Sequence, residues 1–190
     1  MSTPVYVPDE YRPTQDIYGP SLFRQICEIC LQHLVSVEVA DVESDLTDNT
    51  DIIIKSLDVH ISCRIRNAKY FHNPETRVQF TIRYWRKNNI PSEYSKIMKG
   101  KGDYLFYGFS DKEKLLGWFI LDLRKLREVL PSTRPVKVVV NPDGSSIFHV
   151  YSLLQFPKGI VVAADMAILK TLALISHEWR LELYRTEKTS

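Results

Sequence analysis

Leu57-Asp58-Val59-His60-Ile61-Ser62-Cys63-Arg64-Ile65-Arg66 is the stretch on which the fold turns. Val59, Ile61, Cys63 and Ile65 fall on one side of an extended chain, and Asp58, His60, Ser62, Arg64 and Arg66 fall on the other. Strict alternation over this length predicts a strand with one face in a core and one polar face.

Upstream, Leu22, Phe23, Ile26, Ile29, Cys30 and Leu34 recur at helical spacing, so a helix is predicted from Ser21. Val35, Val37 and Val39 alternate as a strand, residues 45–51 form a polar turn, and Ile52 to Ile54 is a short apolar strand. Four prolines in residues 1–20 predict an extended arm.

Downstream, Asn67 to Thr76 reads as a loop and Val78 to Trp85 as a strand. Ser92 caps a helix that ends at Gly100 and carries Lys96 and Lys99. Tyr104 to Phe109 and Trp118 to Leu121 are further strands. A helix through Leu123, Leu126, Val129 and Leu130 is stopped by Pro131. Val136 to Val140 and Ile147 to Leu153, joined through Asp143-Gly144, predict a hairpin, and a last helix is expected over Ala163 to Trp179.

The 190 residues are 44% hydrophobic, 11% aromatic and 25% charged, with seven glycines, which fits one globular domain and excludes coiled coil, collagen and disordered classes. Cys27, Cys30 and Cys63 are an odd set with no apolar leader before them, so a reducing, cytoplasmic setting is expected. No apolar run is long enough to span a membrane.

The net charge of +2 conceals a sharp division. Residues 1–63 carry three basic and eleven acidic side chains, a net of −8, whereas residues 64–101 carry ten basic and two acidic, a net of +8. The sign changes inside the alternating strand. Acids followed by cations fit either a metal site beside a phosphate-binding surface or two solvated faces that attract each other.

Asp51 at the head of a strand, the strand Asp58 to Arg66, Phe80-Thr81-Ile82-Arg83, the capped Ser92-Glu93-Tyr94, Gly102-Asp103-Tyr104-Leu105-Phe106-Tyr107, and Trp118-Phe119-Ile120-Leu121-Asp122-Leu123 leading into Arg124-Lys125-Leu126-Arg127 follow one another in this order. This succession, over about residues 21–130, resembles the core of the PD-(D/E)XK nucleases, the restriction-endonuclease-like superfamily that includes archaeal junction resolvases and many small phage nucleases. The resemblance implies a single α/β domain: a central mixed β-sheet flanked by helices over 21–130, with an added C-terminal hairpin and helix over 131–190.

It also implies a chemistry. In that family a helical acid, a strand-opening aspartate and an acid-x-Lys pair hold Mg²⁺ and orient the attacking water, because phosphodiester hydrolysis needs a hydroxide in line and charge neutralised on the leaving oxygen. Carried over, Glu28 stands at the helical acid and Asp51 at the aspartate, with Asp48 nearby, so these are the candidate Mg²⁺ ligands. Ser62 and Arg64 stand where acid and Lys are expected, which departs from the pattern. Arg64 can hold a phosphate but remains protonated and is no base.

Two readings follow for a DNA- or RNA-binding protein. One is a divergent Mg²⁺-dependent nuclease using Asp51, Ser62 and Arg64. The other keeps the fold without cleavage, as a nucleic-acid- or protein-binding regulatory subunit. Arg66, Arg83, Arg86, Lys87 and Lys96 are the candidate phosphate contacts, and Tyr84 and Trp85 among them suit base stacking; a solvated strand edge would carry the same cations. A third class is an interaction protein or homo-oligomer built on the hairpin and last helix.

The remaining signals are weaker. Cys27-Glu28-Ile29-Cys30 has no second ligand pair and reads as core packing. Asp45, Asp48 and Asp51 lack the ligand spacing of a calcium loop. His33, His72, His149 and His177 stand alone, and Gly100-Lys101-Gly102-Asp103 lacks the context of a nucleotide loop.

Overall fold

In a computed structural model, residues 19–31, 38–39, 52–54, 59–87, 90–177 and 179–180 are described. Their elements are α1 (Pro20–Leu31), β1 (Glu38–Val39), β2 (Ile52–Ile54), β3 (Val59–Asn67), α2 (Ala68–His72), α3 (Pro74–Arg77), β4 (Gln79–Arg86), α4 (Glu93–Met98), β5 (Tyr104–Asp111), β6 (Lys114–Asp122), α5 (Leu123–Val129), β7 (Lys137–Val140), β8 (Ser146–Ser152), β9 (Val161–Ala164) and α6 (Met166–Ile175). Two sheets result. The larger has the order β1-β2-β3-β5-β6-β9, and the smaller β4-β8-β7. The large sheet is mixed, since β3 and β5 run parallel while its other pairs are antiparallel.

The alternation read from residues 57–66 sorts the two sides of this sheet. Ile61, Cys63 and, in register on β5, Phe106 pack against Leu22, Ile26 and Cys30 of α1. Leu105, Tyr107 and Phe109 of β5, with Phe119 and Leu121 of β6, point the other way into a larger core with Phe80, Ile82, Leu126, Tyr151 and Leu172. Rings fill that core: Tyr107 stacks on Phe119 at 5.1 Å between centroids, and Phe80 on Tyr151 at 5.6 Å. Ser62, Arg64 and Arg66 lie on the same side of the sheet as Leu105, Tyr107 and Phe109, their register partners.

Several expectations are corrected. A single central sheet was expected to include the strand at 78–85; instead β4 leaves the large sheet and pairs with β8 of the hairpin. Pairing with β8 sets Tyr151 opposite Phe80, ring against ring, and turns Phe80 and Ile82 into the core shared with the large sheet. The expected loop at 67–76 is two short helices, α2 capped by the Asn67 side chain and α3 by that of Asn73, with Pro74 opening α3. The last helix begins later than expected, because residues 161–164 pair with β6 as a strand. Asp165 then caps α6 by accepting the N–H groups of Ala167 and Ile168. Among the described residues no helix is long and apolar enough to cross a membrane.

Candidate nucleic-acid interface

Parallel pairing of β3 with β5 sets Arg64 opposite Tyr107 and Arg66 opposite Phe109, so two guanidinium groups emerge between the large sheet and the small one. There they border a cleft of about 590 Å³, lined also by Tyr70, Thr81, Lys137 and Phe148. Arg66 Nη1 donates to Thr81 Oγ1 at 3.2 Å and to the Tyr107 hydroxyl at 3.3 Å, and its guanidinium carbon lies 3.9 Å from the centre of the Tyr70 ring. Thr81 and Tyr107 are both buried, so the planar group is fixed from below and from one face.

Arg64 is held differently. Its Nη2 meets Glu93 Oε2 at 2.5 Å, and the same oxygen accepts the backbone N–H of Arg83 at 2.9 Å. Glu93 opens α4, where Ser92 Oγ accepts the N–H of Ser95, so a capped helix end fixes the carboxylate. The guanidinium carbons of Arg64 and Arg83 lie 5.6 and 5.2 Å from the centre of the Phe148 ring. Arg83 Nε is buried and has no hydrogen-bond partner among the described residues.

The field in the cleft is positive. Glu93 neutralises Arg64, and among the other charged lining residues Arg66 and Lys137 outnumber Glu75. Tyr70 responds to that field: a hydrogen bond from Arg66 above all, and the charges of Arg66 and Lys69, hold its phenol below the usual tyrosine range.

Beyond the cleft, β4 continues to Trp85 and Arg86 through a bulge between Arg83 and Trp85, which re-aims the strand end. Tyr84 and Trp85 are 44% and 43% exposed. Tyr84 stacks on His149 of β8 at 4.0 Å with planes 12° apart and touches Tyr94 of α4 at 5.0 Å. His149, read as isolated in the sequence, therefore sits in an aromatic cluster, with Nδ1 3.3 Å from the Tyr151 hydroxyl. Burial lowers its pKa, and burial pushes the Tyr151 phenol up to about 12.

Of the residues singled out in the sequence, Arg64 and Arg66 share the cleft and Arg83 adjoins it through Phe148. Arg86 is half-buried and Lys87 exposed, at the far end of β4. Lys96 is a correction: expected as a phosphate contact carried on this helix, it is buried, only 7% exposed, because α4 packs against β4. Asp48 and Asp51 lie outside the described residues.

Glu28 does not join Ser62 and Arg64. It is exposed on α1, which covers the opposite side of the large sheet, beside a depression bordered by Gln25, Leu115, Trp118 and Asp165. Asp165 is engaged there, since Oδ1 caps α6 and Oδ2 accepts the Trp118 N–H. The carboxylate on the Arg64 side is Glu93, together with Asp103, whose Oδ2 accepts the His60 N–H at 3.0 Å. Among the described residues no three His, Cys, Asp or Glu side chains gather as a metal-binding group. Burial, with the Glu28 charge adding to it, pushes the Cys27 thiol up to about 11, and burial raises Cys30 to about 12, so both pack as neutral thiols.

Sequence reasoning missed Glu93 as the partner of Arg64, and Tyr70 and Phe148 as the rings beside the arginines. Glu93 carried a signal, an acid in the first turn after a capping serine, but that pattern serves helix capping equally well. Phe148 had none, since its neighbours come from strands far away in the chain. No protein-family model matches this chain, and no curated protein matches it.

Proposed function

We propose that this protein binds nucleic acid through the arginine-lined cleft and the adjoining end of β4, and that it does so without cutting. The observation that carries this reading is the meeting of Arg64 and Arg66 of the large sheet in one aromatic-walled recess, with Arg83 of the small sheet adjoining it across Phe148. Planar cations held at fixed spacing suit phosphate oxygens, which Arg engages with two parallel donors. Exposed Tyr84 and Trp85 beside Arg86 and Lys87 extend the surface with rings on which bases stack.

On this reading the chain is an inactive relative of the PD-(D/E)XK nucleases. What supports inactivity is the separation of Glu28 from Ser62 and Arg64 by the thickness of the sheet, together with the use of Arg64 as the partner of Glu93. Mg²⁺ then has no required role.

Fluorescence anisotropy over a salt series tests the binding. Arg66→Ala and Arg86→Ala are expected each to weaken it and to lower the salt slope by about 1. Incubation with Mg²⁺ or Mn²⁺ is expected to leave single-stranded, duplex and branched substrates intact. Cleavage that Asp51→Ala abolishes would restore the nuclease reading.

A second reading, an interaction protein, is favoured by one set of observations. Val136, Val138, Val139 and Val140 of the hairpin are exposed, as are Leu174 and Ile175 at the end of α6, with Leu174 at 80%. Light scattering decides it: a monomer at all concentrations removes self-association from consideration.

A further inference from the structure

We infer that the cleft takes single-stranded nucleic acid in preference to duplex, an inference that rests on the nucleic-acid reading above. The argument is one of access. The floor groups are recessed: the Arg64 side chain is 21% exposed, and Thr81 and Tyr107, which hold Arg66, are 7% and 1% exposed. A cleft of about 590 Å³ is the size of a small-ligand pocket, not of a groove for a helix. A duplex is stiff and convex over this distance, so its phosphates can reach exposed Lys137 at the rim but not the arginines beneath. A single strand turns freely about its backbone bonds and can follow the recess.

Stacking argues the same way. The Arg66 guanidinium carbon lies over the Tyr70 ring and that of Arg64 over Phe148, with Arg83 over Phe148 beside the cleft, so the cleft offers rings already paired with guanidinium groups. An unpaired base has free faces with which to extend such a stack, whereas a base inside a duplex has both faces covered by its neighbours.

The test uses the full chain with a fluorescein-labelled single-stranded oligonucleotide of mixed sequence and the same strand annealed to its complement, in one buffer. The single strand is expected to bind at least about tenfold more tightly, the worth of one stacked base. Arg66→Lys keeps the charge and loses the plane, and Phe148→Leu keeps the apolar bulk and loses the ring. Each is expected to shrink the preference towards parity by weakening single-strand binding more than duplex binding. Duplex bound as tightly as single strand, or a preference that survives both substitutions, overturns the inference and leaves the nucleic-acid reading standing. No binding of either probe overturns both.

Discussion

Glu93 joins Arg64 to Arg83: one carboxylate oxygen accepts from the guanidinium of the first and from the backbone N–H of the second. A single buried acid thereby ties the large sheet to the small one across the cleft. Glu93→Ala would leave Arg64 without this partner in a half-buried place and is expected to cost about 3 kcal/mol. Urea unfolding of Glu93→Ala, Arg64→Ala and the double variant checks it. Additive losses would show that the contact contributes little, whereas a double variant close to the Glu93→Ala value is the expected result.

Gly117 on β6 lies under the ring of Phe71, and a Cβ at this position would run into that ring and into the Asp165 carboxylate. Neither neighbour can retreat easily, since Phe71 packs on Phe109 at 5.8 Å and Asp165 holds both the cap of α6 and the N–H of Trp118. Gly117→Ala is expected to destabilise by about 1–3 kcal/mol, as overpacking does. Thermal unfolding at unchanged midpoint would refute it.

His149 gives the fold a pH dependence with a definite sign. Burial lowers its pKa below the ordinary 6.5, so as pH falls the unfolded chain takes up the proton first. The stability contributed by neutral His149 is complete above 6.5 and declines as pH falls from there to its lowered folded value. His149→Phe keeps a ring against Tyr84 and is expected to flatten this part of the curve, read as unfolding midpoint against pH. An unchanged slope would place the acid sensitivity elsewhere.

The parts of the structure legible in the sequence are those fixed by near neighbours in the chain. Alternation from Val59 to Ile65 gave both faces of β3 because period two needs no knowledge of partners. Ser92 capped its helix as expected, and the Asp143-Gly144 turn lay between β7 and β8. What stayed hidden depends on distant pairing. Whether β4 joined β3 or β8 could not be read from Phe80-Thr81-Ile82, which is apolar enough for either. The same limit governed the site: Arg64 was legible as a cation on a polar face, but its carboxylate arrives on a separate helix, and Glu28, an acid at the family's expected place, turned out to serve the other side of the sheet.

Parallel pairing of β3 with β5, with residues 68–103 threaded between them, also sets an order of events during synthesis. The β5–β6 hairpin can close from local contacts as soon as its residues are made, whereas β4 waits for β8. Lys137 and Phe148 reach the cleft only with that late hairpin. A nascent chain therefore displays its cationic stretch before it owns the recess that would use it, and the ability to bind waits until residues 146–152 have been made and can pair with β4.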